Sequence, residues 1–213
     1  TGHTLTVWNR SKSKTEDMNV EVAPHPAAVA DKTEIIFLCL FDSNAVRSVL
    51  TGSNGILTGG ASGRIIIDIT TNHFRDVLSF HELCSRTGAI YLESPVLGSV
   101  MPASQGALTV LVSGSRAGFD TSKPVLENIG KNIFYLEKPS LATKMKLVNN
   151  LALGSFMATI AETLAIGEDA GIGRERRSGT RAGEEDQEAS LGEFQGLTKR
   201  LLQYGTEDKG EDQ

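Results

Sequence analysis

The chain has 213 residues, of which 39% are hydrophobic, enough for one or two folded domains with a packed core. Its net charge of -5 gives no general electrostatic reason to expect nucleic acid or an anionic membrane as a partner, and neither is predicted. Uninterrupted apolar runs fall short of the roughly 20 residues that cross a bilayer, and the first residues lack the pattern of a leader, so we expect a cytoplasmic protein.

The first part of the chain alternates predicted strands and helices. The run 34–41 is bulky and apolar throughout, as in a strand buried on both faces of a parallel sheet. The alternation predicts an α/β fold with a doubly wound parallel sheet. The predicted elements are strand 4–10, strand 20–22, helix 26–31, strand 34–41, helix 44–50, strand 64–69, helix 74–87, strand 89–92 and strand 108–112.

The two ends of the chain differ from this pattern. Thr1-Gly2-His3 has the character of a helix end turning into a strand, so we expect a strand and a helix upstream of it. Residues 140–170 predict a long helix that is apolar on nearly every face and therefore buried. Residues 173–213 are rich in charge and glycine and predict a disordered tail, with an amphipathic helix at 190–204 as an option. The predicted organisation is a sheet domain at 1–138, a long helix at 139–172 and the tail.

Cysteine and histidine give little support for a disulfide or a metal site. Cys39 and Cys84 lie in or beside apolar segments and are interpreted as reduced thiols. The four histidines show no metal-ligand spacing, so no metal is predicted.

Three groups of residues are candidates for chemistry. The first is the segment that ends the first strand, Asn9-Arg10-Ser11-Lys12-Ser13-Lys14, where a dinucleotide fold meets the adenosine ribose. The lack of an acid there favours NADP(H), with NAD(H) as an option, while a solvated basic turn is the alternative. The segment 93–99 brings proline and glycine to a strand end, which suits close backbone approach to a ligand or a simple turn. Lys146 and Asn150 share a face of the long helix and form either a substrate-binding pair or ordinary exposed side chains.

Taken together and in order, these segments resemble the β-hydroxyacid dehydrogenase family over about residues 1–172. This family includes 3-hydroxyisobutyrate dehydrogenases and glyoxylate/succinic semialdehyde reductases, and the latter are the most similar branch. The resemblance implies a Rossmann-like sheet followed by an all-helical domain, homo-oligomers, and hydride transfer between NADP(H) and a small carboxylate substrate. The segments that carry it are Trp8-Asn-Arg10, Asp68-Ile-Thr-Thr71, Glu93-Ser-Pro-Val-Leu-Gly-Ser99, Ala103 with Gln105-Gly106, and Ala142-Thr-Lys-Met-Lys-Leu-Val-Asn-Asn150.

The resemblance also implies roles for individual residues. Lys146 matches the family's proton-transfer lysine, and Asn150, Gly98 and Ser99 match positions that bind substrate. The residues that match cofactor-binding positions are Asn9, Arg10, Ser11, Leu40, Phe41, Asp42 and Thr71.

Three departures from the family pattern favour a rival hypothesis, a non-catalytic remnant or interaction module with the same fold. Leu97 stands where the family usually has a serine, the Gly-x-Gly-x-x-Gly turn that holds the pyrophosphate is missing before Thr1, and residues 173–213 match nothing of the family's helical domain. From the missing strand we also expect unpaired sheet edges and marginal stability.

Overall fold

A computed structural model describes residues 2–172, and the predicted tail lies outside the described residues. The strands within this range are β1 Thr6–Val7, β2 Glu21–Val22, β3 Ile35–Leu38, β4 Ile65–Asp68, β5 Ile90–Glu93, β6 Val96–Leu97, β7 Leu108–Gly114 and β8 Gly130–Tyr135. The helices are α1 Pro26–Lys32, α2 Ser43–Thr51, α3 Phe74–Arg86, α4 Val100–Ser104, α5 Arg116–Leu126 and α6 Leu141–Asp169.

The strands form two sheets. The pair β1 and β2 is parallel, and the larger sheet has the order β3-β4-β5-β7-β6, with β8 also paired to β7. In the larger sheet β3, β4 and β5 are parallel, in a register that sets Leu38 beside Asp68 and Asp68 beside Glu93. The carboxyl ends of these strands therefore meet at one edge, where ligands bind in open α/β sheets.

A gap separates the two sheets. An apolar cavity of about 280 Å³ lies between the stretch Thr4–Trp8 and strand β3, lined by both. A doubly wound dinucleotide fold has the strand order 3-2-1-4-5-6. The strands here fill that order as β2, β1, an open place, β3, β4 and β5, so the open place is that of strand 1 in this numbering. This open place is where sequence analysis expects a missing strand, and its neighbours β1 and β3 are both left as sheet edges.

The core lies on both faces of the larger sheet. One face packs Ile66 and Tyr91 against Phe80 of α3 and Leu50 of α2, all of them buried. The other face is built around Ile67, Leu92, Val110, Phe119 and Leu126. Helices thus cover both faces of the sheet, which confirms the predicted fold class.

The predicted strands and helices are present, although β1 and β3 are shorter than predicted. The prediction that β3 is buried on both faces is wrong, because Phe37 is exposed between buried neighbours. Four further strands and helices were not predicted. Strand β6 and helix α4 lie in the segment interpreted as a turn. Helix α5 contains Gly118 and Pro124, which weaken a helical pattern, and β8 has half-exposed residues that follow no clear alternation. The sheet also departs from an all-parallel arrangement, because β7 runs antiparallel to β5 and β6.

The prediction that the long helix is buried is wrong for the described residues. Buried side chains in α6 are limited, within this range, to Ala142 and Thr143 near its start, whereas Leu151 is 71% and Ile166 is 69% exposed. An apolar sequence pattern shows that a helix needs other elements to pack on it, but it does not show that those elements are present. By length and composition alone α6 could also cross a bilayer, a property that core helices of soluble proteins share. By its contacts the chain divides inside α6, into Thr1–Lys146 and Leu147–Gln213.

Candidate functional site

A cavity of about 510 Å³ lies where β1 and β3 end and α2 begins. It brings together five of the residues predicted to bind cofactor: Asn9, Arg10, Ser11, Leu40 and Phe41. Ligand pockets for small molecules and cofactors commonly hold about 300–1,000 Å³, so the volume suits a part of a nucleotide. The remaining lining residues are Trp8, Lys14, Cys39, Ala45, Ser48 and Val49.

The turn after β1 gives this cavity its positive charge. The side-chain amide of Asn9 donates a 2.8 Å hydrogen bond to the backbone carbonyl of Ser11, which shapes the turn. Arg10 and Lys14 both line the cavity, and among the described lining residues there is no carboxylate. Guanidinium and ammonium groups bind phosphate well, so the cavity suits a ligand that carries a phosphate group.

The loops that follow β3 and β4 are tied to each other. The backbone amide of Leu40 donates to the hydroxyl of Thr70 at 3.0 Å, and the hydroxyl of Ser43 donates to the side-chain oxygen of Asn72 at 3.1 Å. Asp42, between them in the sequence, caps α2 by accepting from the amide of Ala45 at 2.8 Å. These bonds fix the loop at Phe41, whose side chain is 93% exposed and therefore free to contact a ligand.

Asp68 organises the end of β4 from beneath. Its buried carboxyl group accepts from the amide of Thr70 at 2.9 Å, the side chain of Asn72 at 2.8 Å and the hydroxyl of Tyr91 at 2.6 Å. Burial raises the pKa of Asp68, and these hydrogen bonds oppose the rise. The exposed Thr71 sits on this loop, so its position is set by a buried network.

Lys146 lies against the predicted substrate segment. Its ammonium group donates a 2.7 Å hydrogen bond to the backbone carbonyl of Val96, two residues before Gly98. Burial lowers the pKa of Lys146, because desolvation disfavours the charged form. A lysine with a lowered pKa is better suited to exchange a proton near neutral pH.

The turn at Gly98 requires glycine. Its φ is +133°, and a β-carbon there would lie 2.7 Å from a side-chain carbon of Leu108. Ser99 is the N-cap residue just before α4 and has an exposed side chain. Leu97, just before Gly98, is buried.

Most of the predicted site residues fall into two groups in the first unit of the chain. Five line the cavity at Arg10, while Lys146 lies beside the segment that holds Gly98 and Ser99. Asp42 and Thr71 lie on the loops between β3 and α2 and after β4, apart from the cavity lining. Asn150 lies further along α6, in the unit that begins at Leu147, with an exposed side chain.

Lys14, at the end of the basic segment 9–14 that the sequence singles out, also lines the cavity. Sequence reasoning missed other lining residues, Ser48 among them. Ser48 follows Ala45 by three residues on α2 and shares its face, a helical spacing that also was available from the sequence.

Comparison with known proteins assigns the family. A domain profile described as the NAD binding domain of 6-phosphogluconate dehydrogenase matches residues 1–136. The chain belongs to this family. The match confirms the resemblance predicted from the sequence, and it covers both the cavity at Arg10 and the segment with Gly98.

Individual relatives point the same way. The chloroplastic glyoxylate/succinic semialdehyde reductase 2 of Arabidopsis thaliana is 33% identical over 174 residues, which are 80% of this chain and 49% of the reductase. The cytokine-like nuclear factor N-PAC of Mus musculus is 33% identical over 170 residues, 80% of this chain and 31% of that protein. The chain therefore spans half or less of the length of these two relatives.

A solved structure supports the fold. The structure described as Psf3 in complex with NADP+ and 2-OPP has a TM-score of 0.75 and 27% identity, and the match covers 83% of this chain and 63% of Psf3. In that structure the NADP+ is bound to Psf3.

Proposed function

We propose that this chain carries the adenosine-binding and proton-transfer parts of an NADP(H)-dependent reductase for small semialdehydes or hydroxy acids, of the glyoxylate/succinic semialdehyde class. The observation that carries the proposal is Lys146, half-buried and held 2.7 Å from the carbonyl of Val96 beside the substrate turn. The identity to the Arabidopsis thaliana reductase supports the substrate class.

The residues present suit the adenosine end of NADP(H). Arg10 and Lys14 would hold the ribose phosphate, Ser11 and Asn9 would contact the ribose side, and Leu40 and Phe41 would lie along the nucleotide. NAD(H), without that phosphate, would gain less from the two cations.

In the proposed reaction, the residues of this chain carry out the proton transfer. A bound nicotinamide would supply hydride exchange with the substrate carbon. In the reduction direction Lys146 gives its proton to the substrate oxygen, a step that its lowered pKa favours, and it then takes a proton from water to return to its starting state. Backbone amides near Gly98 and Ser99 would orient the substrate carboxylate.

Binding and turnover measurements test this function together. NADPH and NADH are titrated into the parent chain, the Lys146→Met variant and the matched control Lys123→Met, a lysine exposed on α5. We expect saturable NADPH binding in all three, and turnover of glyoxylate or succinic semialdehyde lost only in Lys146→Met. Undiminished turnover in that variant would remove Lys146 from the mechanism.

A second candidate is a binding module that keeps the fold without turnover. The observation that favours it is Leu97, which is buried and presents no hydroxyl where the family usually anchors its substrate. A folded parent chain without saturable NADPH binding would support this candidate. The cytoplasmic location stays a prediction, since relatives include a chloroplastic enzyme and a nuclear factor.

A further inference from the structure

A buried polar cluster lies under the first turn of α6. The hydroxyl of Thr143 donates to Oε2 of Glu93, at the end of β5. The backbone amide of Ala142 donates to the hydroxyl of Ser113 on β7 at 3.0 Å. All four residues are 2% exposed or less, so this turn is anchored inside the protein and not at its surface.

This buried polar cluster lowers the stability of the fold. Burial raises the pKa of Glu93, and hydrogen bonds from Thr143, Ser140 and Ser113 oppose the rise. Its Oε1 atom has no partner within hydrogen-bond geometry among the described residues. A buried carboxyl group with an unsatisfied oxygen destabilises a core, and an apolar residue of similar size often stabilises it. The carboxyl group of Glu93 in turn stabilises the start of α6, because the first amide groups of a helix need acceptors and the helix dipole favours a carboxylate nearby.

Glu93 and Lys146 are connected by two contacts in matching register. Glu93 meets Thr143, and three residues further along each segment Val96 meets Lys146. Residues three apart on a helix share a face, so the contact at Thr143 sets the height and rotation at which Lys146 leaves the helix.

We propose that Glu93 is a positioning residue, which acts through Thr143 to hold the first turn of α6 so that Lys146 stays at the carbonyl of Val96. The inference deepens the proposed function and rests on it only in taking Lys146 as the proton-transfer group.

The test measures the pKa of Lys146 in the full chain by NMR, after reductive methylation of the lysines with ¹³C formaldehyde. Loss of one signal in Lys146→Met assigns it. Glu93→Ala should raise this pKa toward that of an exposed lysine, because the ammonium group leaves its half-buried place. Glu93→Gln keeps the contact with Thr143 and should restore the parent value, and the exposed control Glu127→Gln should not change it.

Thr143→Val keeps the inference testable where Glu93→Ala does not fold, since it removes the same contact with little change in shape. It should raise the pKa of Lys146 in the same direction. The inference would be overturned if Lys146 kept its parent pKa in Glu93→Ala, or in Thr143→Val where only that variant folds. It would also be overturned if Glu93→Gln raised the pKa of Lys146 as much as Glu93→Ala does. None of these readouts needs turnover, so the proposed function, tested by activity of Lys146→Met, can fail separately.

Discussion

The backbone amide of Leu40 donates a 3.0 Å hydrogen bond to the hydroxyl of Thr70, and this contact joins the loop after β3 to the loop after β4. Thr70 is 4% exposed, so water does not compete for the bond. The two loops carry Phe41 and Thr71, both predicted to contact cofactor. One buried hydroxyl therefore couples the positions of two candidate binding residues that are 30 residues apart in the chain.

Replacing Thr70 with valine should uncouple these loops. The change keeps the shape of the side chain and leaves the Leu40 amide without its acceptor, which costs about 1–3 kcal/mol. We expect the midpoint of urea unfolding to fall, and the NADPH affinity of the variant to fall several-fold. Thr121→Val, at an exposed position on α5, is the matched control. Equal midpoints and affinities for the two variants would show that the contact holds neither loop.

The fold was largely predictable because its strands are short, fully apolar runs set between helices. β4 has this pattern and is buried at all four residues, as a parallel strand covered on both faces requires. β3 has the same apolar composition, yet its burial alternates and Phe37 is exposed. Strand β6 was not predictable in the same way: it has two residues, and its pairing with β7 depends on a turn that only tertiary structure reveals. The exposure of α6 was equally hidden, since a sequence shows that a face is apolar but not what covers it.

The candidate site was predictable where a motif lies on one segment. Arg10 and Lys146 could each be identified from neighbouring residues in the chain. The contacts that set their surroundings could not, because they join residues far apart in sequence: Lys146 and Val96 are separated by 50 positions. The same holds for the network around Asp68, whose partner Tyr91 reads as an ordinary core aromatic residue in strand β5.

Removing the cations of the cavity should change cofactor preference. Arg10→Ala and Lys14→Ala each take away a charge that would meet a ribose phosphate, and a hydrogen bond to a charged group is worth about 1.5–3 kcal/mol. We expect NADPH affinity to fall at least tenfold while NADH affinity changes little, as measured by calorimetry. Lys12→Ala is the control, because Lys12 lies in the same turn, is exposed and does not belong to the cavity lining of the described residues. An equal loss for both cofactors would place the ribose phosphate elsewhere.

Two glycine-to-alanine changes should have opposite effects on stability. Gly98 has a positive φ, and an alanine β-carbon would lie 2.7 Å from Leu108, so Gly98→Ala should destabilise the chain by about 1–3 kcal/mol. Gly154 lies inside α6 with open space where the β-carbon would be, so Gly154→Ala should stabilise its helix by about 0.5–1 kcal/mol. Thermal unfolding followed by circular dichroism measures both. Stabilisation by Gly98→Ala would mean that the turn relaxes readily.

His81 should make the chain less stable in mild acid. Its ring packs edge-on against Tyr91 with centroids 4.9 Å apart, and burial lowers its pKa from 6.5 to about 4. Between these two values the unfolded chain binds a proton that the folded chain does not, so stability falls as pH falls through this window. The full effect approaches ~3 kcal/mol, at about 1.4 kcal/mol for each pH unit.

His81→Phe isolates this effect from the buried acids. Burial raises the pKa values of Asp68 and Glu93, so these groups bind more protons when folded and oppose the trend by stabilising the chain as pH falls. They are present in both the parent and the variant, and their contribution cancels in the difference. Urea unfolding at pH 7 and pH 4.5 should therefore show a smaller loss of stability in His81→Phe than in the parent. Parallel losses would mean that His81 titrates in the folded chain as it does in the unfolded one.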